Sequence, residues 1–294
     1  MAIVSGTLFV VATPLGNLED LSPRAERTLR AAALVACEDT RRTAKLLARF
    51  GIEARTISCH RFNERERIEP VLKVLREGGD VALVSDGGTP GVSDPGSWLV
   101  RAARDEGLRV SPVPGPTAIA AVLSASGLPA DRFVFDGFLP HRSGERRRRL
   151  AEIARETRTV VVFETPHRIR QALRDAAEIL GERRMVLGRE LTKIHETLLH
   201  GSAEDVLSAL GTGDVRGEIV LAIEGTTEDA AACAGASAGP AAEVWRAAME
   251  TACGDRRAAL KAAAKSLGIR RDEMARRLAE IEEPGDPRDP ALRG

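Results

Sequence analysis

The sequence lacks the features that mark several large classes of protein. Its four cysteines are widely scattered, with no Cys-x-x-Cys pair and no histidine at metal-ligand spacing, so neither a zinc site nor a disulfide framework is expected. No apolar run approaches the roughly 20 residues that span a bilayer, and no basic segment followed by a long apolar core opens the chain. We therefore expect a cytoplasmic protein with reduced thiols, no metal and no membrane contact.

Two nucleotide-binding fingerprints are also missing. No glycine is followed by lysine, which excludes the phosphate loop of P-loop nucleotidases. A dinucleotide-binding protein would carry Gly-x-Gly-x-x-Gly after its first strand, but the first predicted turn here reads Pro-Leu-Gly-Asn at residues 14–17. A dinucleotide-dependent oxidoreductase is therefore disfavoured, although it would share an α/β layout.

Net charge and lysine are scarce as well. Lysine plus arginine and aspartate plus glutamate both number 43 in 294 residues, so the formal net charge is zero. A neutral total is evidence against a general polyanion binder, but it leaves room for local basic patches. The basic residues are almost all arginine, and Lys193 is the only lysine between Lys73 and Lys261. Because lysine can lose its proton in a protein and arginine cannot, Lys193 is a candidate for chemistry.

A stretch rich in glycine and proline, residues 81–98, is the most informative part of the sequence. Its first residues are typical of a short buried strand, and helical spacing resumes at Trp98. Between them, glycines would let a ligand lie against the backbone, and prolines fix the path of the loop. A strand, a rigid loop and a helix in this order form the place where open α/β sheets bind ligands. The alternative interpretation is a long surface turn.

The fold class predicted from the alternation of strands and helices is α/β. Strands are expected at 6–12, 34–37, 56–60, 81–85 and 109–113, and each is followed by a helix. This alternation is typical of a doubly wound and largely parallel sheet. The same style continues with strands at 133–135, 159–163, 184–187 and 218–223 and helices at 145–155, 167–180 and 202–210. We expect two α/β domains, residues 1–127 and 128–225, followed by residues 226–294. That last segment is predicted to hold a linker, a disordered end and three short helices at 240–252, 255–267 and 271–283.

Several turns stand in a series that carries a family resemblance. They are TPLGNL at 13–18, EDTR at 38–41, SDGGTPGVSDPG at 85–96, VPGPT at 113–117, FETPHR at 163–168, RELTK at 189–193 and GE at 217–218. This series resembles the tetrapyrrole-methylase-like class of S-adenosylmethionine (SAM) enzymes. Within that class it is similar to the ribosomal RNA methyltransferases that modify the 2′-hydroxyl of a cytidine in the decoding region of the small subunit. The resemblance covers about residues 6–225, with the helical tail a looser match.

The resemblance implies a cofactor, its site and a partner. SAM would lie folded in a cleft between the two α/β domains, held mainly by backbone. The cofactor-binding residues expected from the matching motifs are Leu15, Asp86, Gly88, Thr89, Pro90, Gly91, Val92, Gly115, Thr117, Ala118 and Gly217. Tetrapyrrole-methylating relatives have Gly-Asp-Pro where this chain has Gly-Thr-Pro at 88–90, and the nearest carboxylates here are Asp86 and Asp94. The expected partner is small-subunit ribosomal RNA or the 30S subunit, and the expected assembly is a homodimer.

Methyl transfer to a ribose hydroxyl requires alignment of donor and acceptor, and a general base would help to remove the proton. The residues expected to be catalytic are Lys193, Glu164 and Asp39. Other groups on loops at strand ends remain open as bases: His60, Asp86, His167 and Glu196. The structural alternatives are that Lys193 pairs with Glu196 and that Asp39 or Thr40 caps a helix.

Arginines supply the expected contacts to RNA. The most basic part of the chain enters a predicted helix with Arg146, Arg147, Arg148 and Arg149, and an RNA-backbone contact is favoured over a solvated helix surface. Arg41 and Arg168 could hold phosphates or pair with carboxylates. A metal reading of His195 and His200 is rejected, because residues five apart diverge by about 140° around a helix.

Two rival functions remain at this stage. A small-molecule methylase of the same class would share the cleft, but the arginine run and the helical tail favour a larger, anionic substrate. A helix-turn-helix regulator built on the tail, with Gly268 between two helices, would leave the loops of the cleft unexplained.

Overall fold

A computed structural model describes residues 5–227, 240–252 and 255–282. The chain divides into two compact units. The first comprises the residues up to Ile153 together with Arg158–Gly225, and the second comprises Ala154–Thr157 and the chain from Thr226 onward. Both sheets of the protein lie in the first unit, and the C-terminal helices belong to the second.

The first five strands form one parallel sheet. The strands are β1 (Thr7–Val11), β2 (Leu34–Cys37), β3 (Thr56–Ser58), β4 (Val81–Val84) and β5 (Arg109–Val113), in the order β3-β2-β4-β1-β5. Every pairing is parallel. All residues of β2 and β4 are buried, as expected for continuous apolar runs in a sheet covered on both faces. The predicted parallel sheet is therefore confirmed for this half.

Four α-helices accompany this sheet: α1 (Pro23–Ala31), α2 (Thr40–Arg49), α3 (Glu64–Arg76) and α4 (Ser97–Asp105). The next helix, α5 (Ala118–Ser126), packs instead on the second sheet through Val122 and Leu123. Local signals set their ends. The Ser22 hydroxyl accepts the Ala25 N–H with Pro23 at the first helical position. Helix α5 ends at Gly127, which is left-handed at φ +69°.

The second sheet is mixed rather than parallel. Its strands are β6 (Phe133–Phe138), β7 (Thr159–Glu164), β8 (Met185–Arg189), β9 (Thr197–Gly201) and β10 (Ile219–Ile223), in the order β6-β7-β10-β8-β9. Only β6 and β7 are parallel. The expectation that the second half repeats a parallel layout is therefore wrong. Strands β8 and β9 are joined by residues 190–196 alone, a connection too short for a parallel crossover.

Helices of the second half are α6 (Ser143–Ile153), α7 (Ile169–Leu180) and α8 (Ala203–Ala209), close to their predicted positions. Strand β9 was not predicted from the sequence. Both sheets bury an apolar core, and in the second half Val161, Val186 and Ala222 are at its centre.

The C-terminal unit contains the three predicted helices, α9 (Pro240–Thr251), α10 (Arg256–Ser266) and α11 (Arg271–Glu282). They share a small apolar cluster in which Ala259, Ala263 and Met274 are fully buried. The linker and the disordered end predicted on either side lie almost wholly outside the described residues. None of the helices described is long and apolar enough to cross a membrane.

Candidate functional site

A pocket of about 310 Å³ lies within the first unit, large enough for a nucleoside-sized ligand. Loops that follow β1, β4, β5 and β7 contribute to it, as do the last residues of β6 and β7, β8 with the turn after it, and the start of β10 with the segment before it. Its lining residues that were expected from sequence are Leu15, Asp86, Gly88, Thr89, Val92, Thr117, Ala118, Gly217 and Glu164. The expected residues Pro90, Gly91, Gly115, Asp39 and Lys193 are not among the lining residues.

The lining has a distinct chemistry. Its apolar part includes Phe138, Phe163 and Leu191, and its charged side chains are the four carboxylates Asp86, Asp94, Glu164 and Glu218. Among the described residues, no lysine, arginine or histidine lines the pocket. An apolar and acidic pocket suits a ligand that combines a flat apolar ring system with positive charge. It does not suit a ligand whose phosphates would lie inside the pocket.

The glycine-rich loop 85–96 is fixed to the turn after β1. Gly88 and Thr13 exchange two backbone hydrogen bonds of 2.9 Å each. Gly88 has φ +85°, and a Cβ on it would lie 3.3 Å from Leu15 Cδ2. The Gly88 N–H therefore donates to Thr13 and is not available to a ligand. Glycine at this position instead allows the positive φ of the loop and leaves space beside Leu15.

Gly115 has a different neighbour from the one expected. A Cβ on it would lie 3.0 Å from the Ala12 side chain and 3.6 Å from the Ala12 carbonyl. The residue therefore allows the turn after β5 to pack closely on the end of β1. Gly115 is not among the residues that line the pocket.

The other end of loop 85–96 is held by a buried carboxylate that sequence reasoning missed. Oε1 of Glu64, which is 5% exposed, accepts the N–H groups of Gly96 (3.0 Å), Trp98 (2.9 Å) and Leu99 (3.1 Å). These are free donors at the start of α4, which a carboxylate satisfies in both hydrogen bonding and charge. No local signal marks Glu64, because its partners lie more than thirty residues along the chain.

The turn after β8 is a strained, charged structure. Glu190 and Thr192 are non-glycine residues in the left-handed region, at φ +52° and +68°. The Glu190 carboxylate accepts the Glu218 N–H (2.9 Å) and the Lys193 ammonium (2.8 Å). Gly217 has φ +90°, and a Cβ there would lie 2.4 Å from the Glu190 carboxyl carbon. Gly217 must therefore be glycine for Glu190 to reach both partners.

Lys193 is held as a charged ammonium. Its Nζ also contacts Glu218 Oε2 at 3.1 Å, and its stem lies against Gly16, where a Cβ would be 2.2 Å from Lys193 Cγ. Burial opposes the charge, but the bond to Glu190 and the charge of Glu218 outweigh it and raise the pKa of Lys193. The alternative pairing with Glu196 does not form, because Glu196 accepts the Thr192 N–H at 2.6 Å.

Gly16 and Asn17 lie in the turn after β1, and both residue types tolerate a left-handed backbone. Gly16 is not among the residues with positive φ, and Asn17 has φ −89°. The reason for glycine at position 16 is instead the close approach of the Lys193 stem.

Glu164 and Arg168 form a buried pair at the end of β7. Glu164 is 2% exposed, and its two oxygens accept the Thr165 N–H (2.7 Å) and the Arg168 Nη2 (2.8 Å). The Arg168 guanidinium also donates to the Leu139 carbonyl. Arg168 therefore follows the carboxylate-pairing alternative, and its guanidinium is turned inward.

Asp39 caps α2. Its carboxylate accepts the Arg41 N–H (2.8 Å) and pairs with the Arg41 guanidinium (2.9 Å), and these bonds hold the pKa of Asp39 well below its usual range. A carboxylate with a lowered pKa is a weak base. The helix-capping alternative thus describes Asp39, and the Arg41 side chain is 88% exposed.

The arginine run on α6 requires a correction. Arg146 is 3% exposed and bonds Asp175 at 2.6 Å. Arg147 contacts Asp175 (3.1 Å) and Glu178 (2.6 Å), and Arg149 pairs with Asp136 and Glu152. Three of the four guanidiniums are therefore engaged with carboxylates of the protein. Arg148 is the exposed member of the run, and no ion pair is found for it in the described part of the chain.

Asp94 is the pocket carboxylate whose pKa is raised. Burial raises the pKa of Asp94 to about 6, and the charges of Glu38, Asp86 and Glu218 add to the effect, while the Ser85 hydroxyl opposes it. Within the ranges that the structure describes, no cluster of three histidine, cysteine, aspartate or glutamate side chains could hold a metal ion.

Comparison with known proteins finds one family. Residues 7–207 match the family described as Tetrapyrrole (Corrin/Porphyrin) Methylases. A protein named Ribosomal RNA small subunit methyltransferase I from Xylella fastidiosa (strain Temecula1) is 49% identical over 230 residues, which are 77% of this chain and 84% of that protein. Proteins of the same name from Pseudomonas aeruginosa and Escherichia coli O157:H7 are 50% and 48% identical over 224 residues. Each match covers 75% of this chain, and 79% and 78% of the respective relative.

Solved structures share the fold. The methyltransferase CobJ superposes with a TM-score of 0.58 at 20% identity, over 76% of this chain and 95% of that chain. Uroporphyrin-III C-methyl transferase from Thermus thermophilus, complexed with S-adenyl homocysteine, gives a TM-score of 0.52 at 22% identity, over 74% and 97%. This likeness confirms the α/β fold class of the first unit.

Proposed function

Because the chain belongs to the tetrapyrrole (corrin/porphyrin) methylase family, we propose that it is a SAM-dependent methyltransferase of small-subunit ribosomal RNA. The observation that carries the proposal is the identity of 48–50%, over three quarters of the chain, to proteins named Ribosomal RNA small subunit methyltransferase I. The acceptor we propose is the 2′-hydroxyl of a cytidine in the decoding region.

The pocket fits SAM as the methyl donor. SAM joins a flat adenine ring to a methionine chain that carries a sulfonium, an ammonium and a carboxylate group, and it has no phosphate. The aromatic and aliphatic wall around Phe163 would hold the ring, and the acidic side would favour the positive charges. When bound, SAM supplies an activated methyl group, and the protein must hold the acceptor hydroxyl in line with it.

Residues of the charged turn after β8 are proposed to position other groups of the site rather than to remove the proton of the acceptor hydroxyl. A basic Lys193 would have to give up a proton while two carboxylates lie within 3.1 Å of its Nζ. Its charge instead holds Glu218, a lining residue, at the edge of the pocket. Glu164 is proposed to shape the pocket wall next to Phe163, and an ion pair with Arg168 fixes its carboxylate.

Exposed aromatic and arginine side chains support an RNA substrate. Aromatic residues make up only 3% of the sequence, yet Phe62 is 93% exposed and Trp98 is 46% exposed. The Arg65 guanidinium lies 4.4 Å from the centre of the Trp98 ring. Exposed rings beside arginines are typical of surfaces on which unpaired RNA bases stack. Of the arginines expected to contact RNA, we retain Arg41 and Arg148 as contacts to phosphate, because both are exposed.

The location and assembly are proposed from the same function. Assembled ribosomal subunits and their RNA are cytoplasmic in bacteria, so we propose a cytoplasmic enzyme. We also propose a homodimer, and sedimentation equilibrium of the purified protein would measure the assembly.

Methyl transfer from labelled SAM tests the function. Purified protein is incubated with 30S subunits or with naked small-subunit RNA, and the labelled nucleoside is identified by digestion and mass spectrometry. We expect 2′-O-methylcytidine from one position of the decoding region. SAM binding without RNA labelling, together with transfer to a tetrapyrrole, would contradict the RNA substrate.

A further inference from the structure

The four carboxylates that line the pocket are not equivalent. Three have a cationic partner: Asp86 with Arg42 (3.3 Å), Glu164 with Arg168 (2.8 Å) and Glu218 with Lys193 (3.1 Å). The fourth, Asp94, has no ion pair with any residue in the described parts of the chain. Each paired carboxylate is already committed to an intramolecular contact, which leaves Asp94 available to a ligand.

Acidic groups surround Asp94 from several elements. Glu38 approaches from the loop after β2, Asp86 from the same loop as Asp94, and Glu218 from the segment that enters β10. The Ser85 hydroxyl is the polar group that opposes them. Because like charges and partial burial both disfavour the carboxylate, the pKa of Asp94 rises to about 6. A general base is most effective when its pKa lies near the working pH.

The backbone of the loop is held on both sides of Asp94. Ser93, directly before it, is a non-glycine residue in the left-handed region at φ +62°. Such a conformation persists only where the surroundings impose it, and it is common at active sites. Glu64 fixes the far end of the loop through the Gly96 N–H, and Thr13 fixes the near end through Gly88.

We propose that Asp94 is the general base of the methyl-transfer reaction. The inference rests on the proposed function, because it needs a hydroxyl acceptor in the pocket. The acceptor oxygen forms a bond to the methyl carbon as the carbon–sulfur bond breaks, and the electron pair of that bond stays on sulfur. The proton of the hydroxyl passes to the Asp94 carboxylate, which later releases it to water.

The residues expected from sequence to be catalytic are less suited to this step. Lys193 is protonated and pairs with Glu190 and Glu218. Asp39 lies outside the pocket lining and bonds Arg41. The two oxygens of Glu164 already accept from Arg168 and from a backbone N–H.

The first test compares Asp94→Asn and Asp94→Glu with the wild type in single-turnover methylation of 30S subunits at saturating SAM. Loss of a general base lowers such rates by about 10² to 10⁴, so we expect at least a 10²-fold loss for Asp94→Asn. Asp94→Glu keeps a carboxylate and should retain part of the rate. Calorimetric titration gives the SAM affinity of each variant, and for Asp94→Asn the loss of affinity should be much smaller than the loss of rate.

A second variant tests whether the rate depends on the protonation state of Asp94. In the wild type the rate should fall on the acid side as Asp94 takes up a proton. Glu38→Gln removes one of the charges that raise the pKa of Asp94. It should therefore move the acid limb of the rate profile to lower pH while the plateau remains. A purely structural role for Asp94 predicts no such movement.

A third measurement needs neither SAM nor RNA. Titration of ¹³C-labelled aspartate carboxyl groups by NMR, assigned by comparison with Asp94→Asn, should show one resonance with a midpoint near 6 in the ligand-free protein. A midpoint below about 4.5 would contradict the raised pKa.

The outcomes separate the two proposals. A wild type that binds SAM but labels no RNA contradicts the proposed function. An active wild type together with an equally active Asp94→Asn contradicts only the assignment of Asp94. A variant that loses SAM affinity but keeps its rate at saturating SAM overturns the base role in favour of cofactor binding.

Discussion

Helix α6 and the pocket both contain several charged side chains, but most of the charges on α6 are paired whereas one carboxylate of the pocket is not. On α6, Arg146, Arg147 and Arg149 each contact at least one carboxylate. In the pocket, Asp94 lies among Glu38, Asp86 and Glu218 without a cation of its own. The total charge of the chain is zero, so composition conceals both arrangements.

The difference indicates which charges hold the fold and which remain available for chemistry. The Arg146–Asp175 pair is buried, and it stabilises the fold because either charge buried without a partner would be strongly destabilising. An unpaired carboxylate among like charges destabilises the folded chain. Such an arrangement is expected where a residue must exchange a proton.

Removing the Arg146 guanidinium should give the largest effect. Arg146→Gln leaves Asp175 buried with Arg147 as its remaining partner. Breaking a buried pair costs about 3–5 kcal/mol of unfolding free energy when the other charge is left alone, so we expect a loss at the lower end, about 3 kcal/mol. Urea unfolding at pH 7.5 would measure it. The matched control is Arg148→Gln on the same helix, which should change stability by less than about 0.5 kcal/mol. Equal losses for the two variants would contradict the pairing account.

An exposed ring should matter to RNA but not to SAM. Base stacking on an aromatic side chain contributes about 1–3 kcal/mol, so Phe62→Ala should weaken RNA binding by roughly 5- to 150-fold. Phe133, which is 44% exposed at the start of β6, supplies the control variant Phe133→Ala. Filter binding at fixed salt gives the comparison, and unchanged affinity for Phe62→Ala rules out stacking at that ring.

Two glycines of loop 85–96 allow steric effects in the pocket to be separated from backbone strain. Gly88 and Gly91 have similar φ values of +85° and +81°, but only Gly88 faces Leu15, and a Cβ on Gly91 would meet nothing within 4 Å. Gly88→Val should weaken SAM binding tenfold or more, which is about 1.4 kcal/mol. Gly91→Val shares the backbone strain without the steric clash. Calorimetric titration should therefore show a smaller loss for it, and equal losses would assign the effect to strain alone.

Local features of the fold were predictable from the sequence. Strands β2 and β4 are continuous apolar runs, and Ser22, Pro23 and Gly127 mark helix ends by their own chemistry. The pairing of the second sheet was not predictable in the same way. Strand β10 is the last of the described strands, yet it lies between β7 and β8, and no local pattern specifies that order.

The candidate site shows the same limit. Turn motifs located most of the pocket lining, because glycine and proline mark a loop wherever they stand. Partners distant in sequence decided the rest: Arg146 finds Asp175, and Glu64 finds Gly96. Sequence alone therefore placed the loops but could not tell which charges were neutralised.

The smallest expected effect tests the central claim most directly, since it asks whether Asp94 bears an uncompensated charge. The pKa of Asp94 is raised from an ordinary 3.8 to about 6 in the folded chain. The folded state thus binds more protons than the unfolded state between these values, and stability from this group is lost as pH rises through that window. Asp94→Asn removes the charge and should gain about 1 kcal/mol of unfolding free energy at pH 7.5, a figure reduced for the solvent screening of a partly exposed group.

The measurement is urea unfolding of the wild type and Asp94→Asn at pH 7.5 and pH 4, without SAM. We expect the variant to be more stable at pH 7.5, with the difference shrinking toward zero at pH 4. Equal or lower stability of Asp94→Asn at pH 7.5 would contradict the account, because the carboxylate would then have a compensating partner.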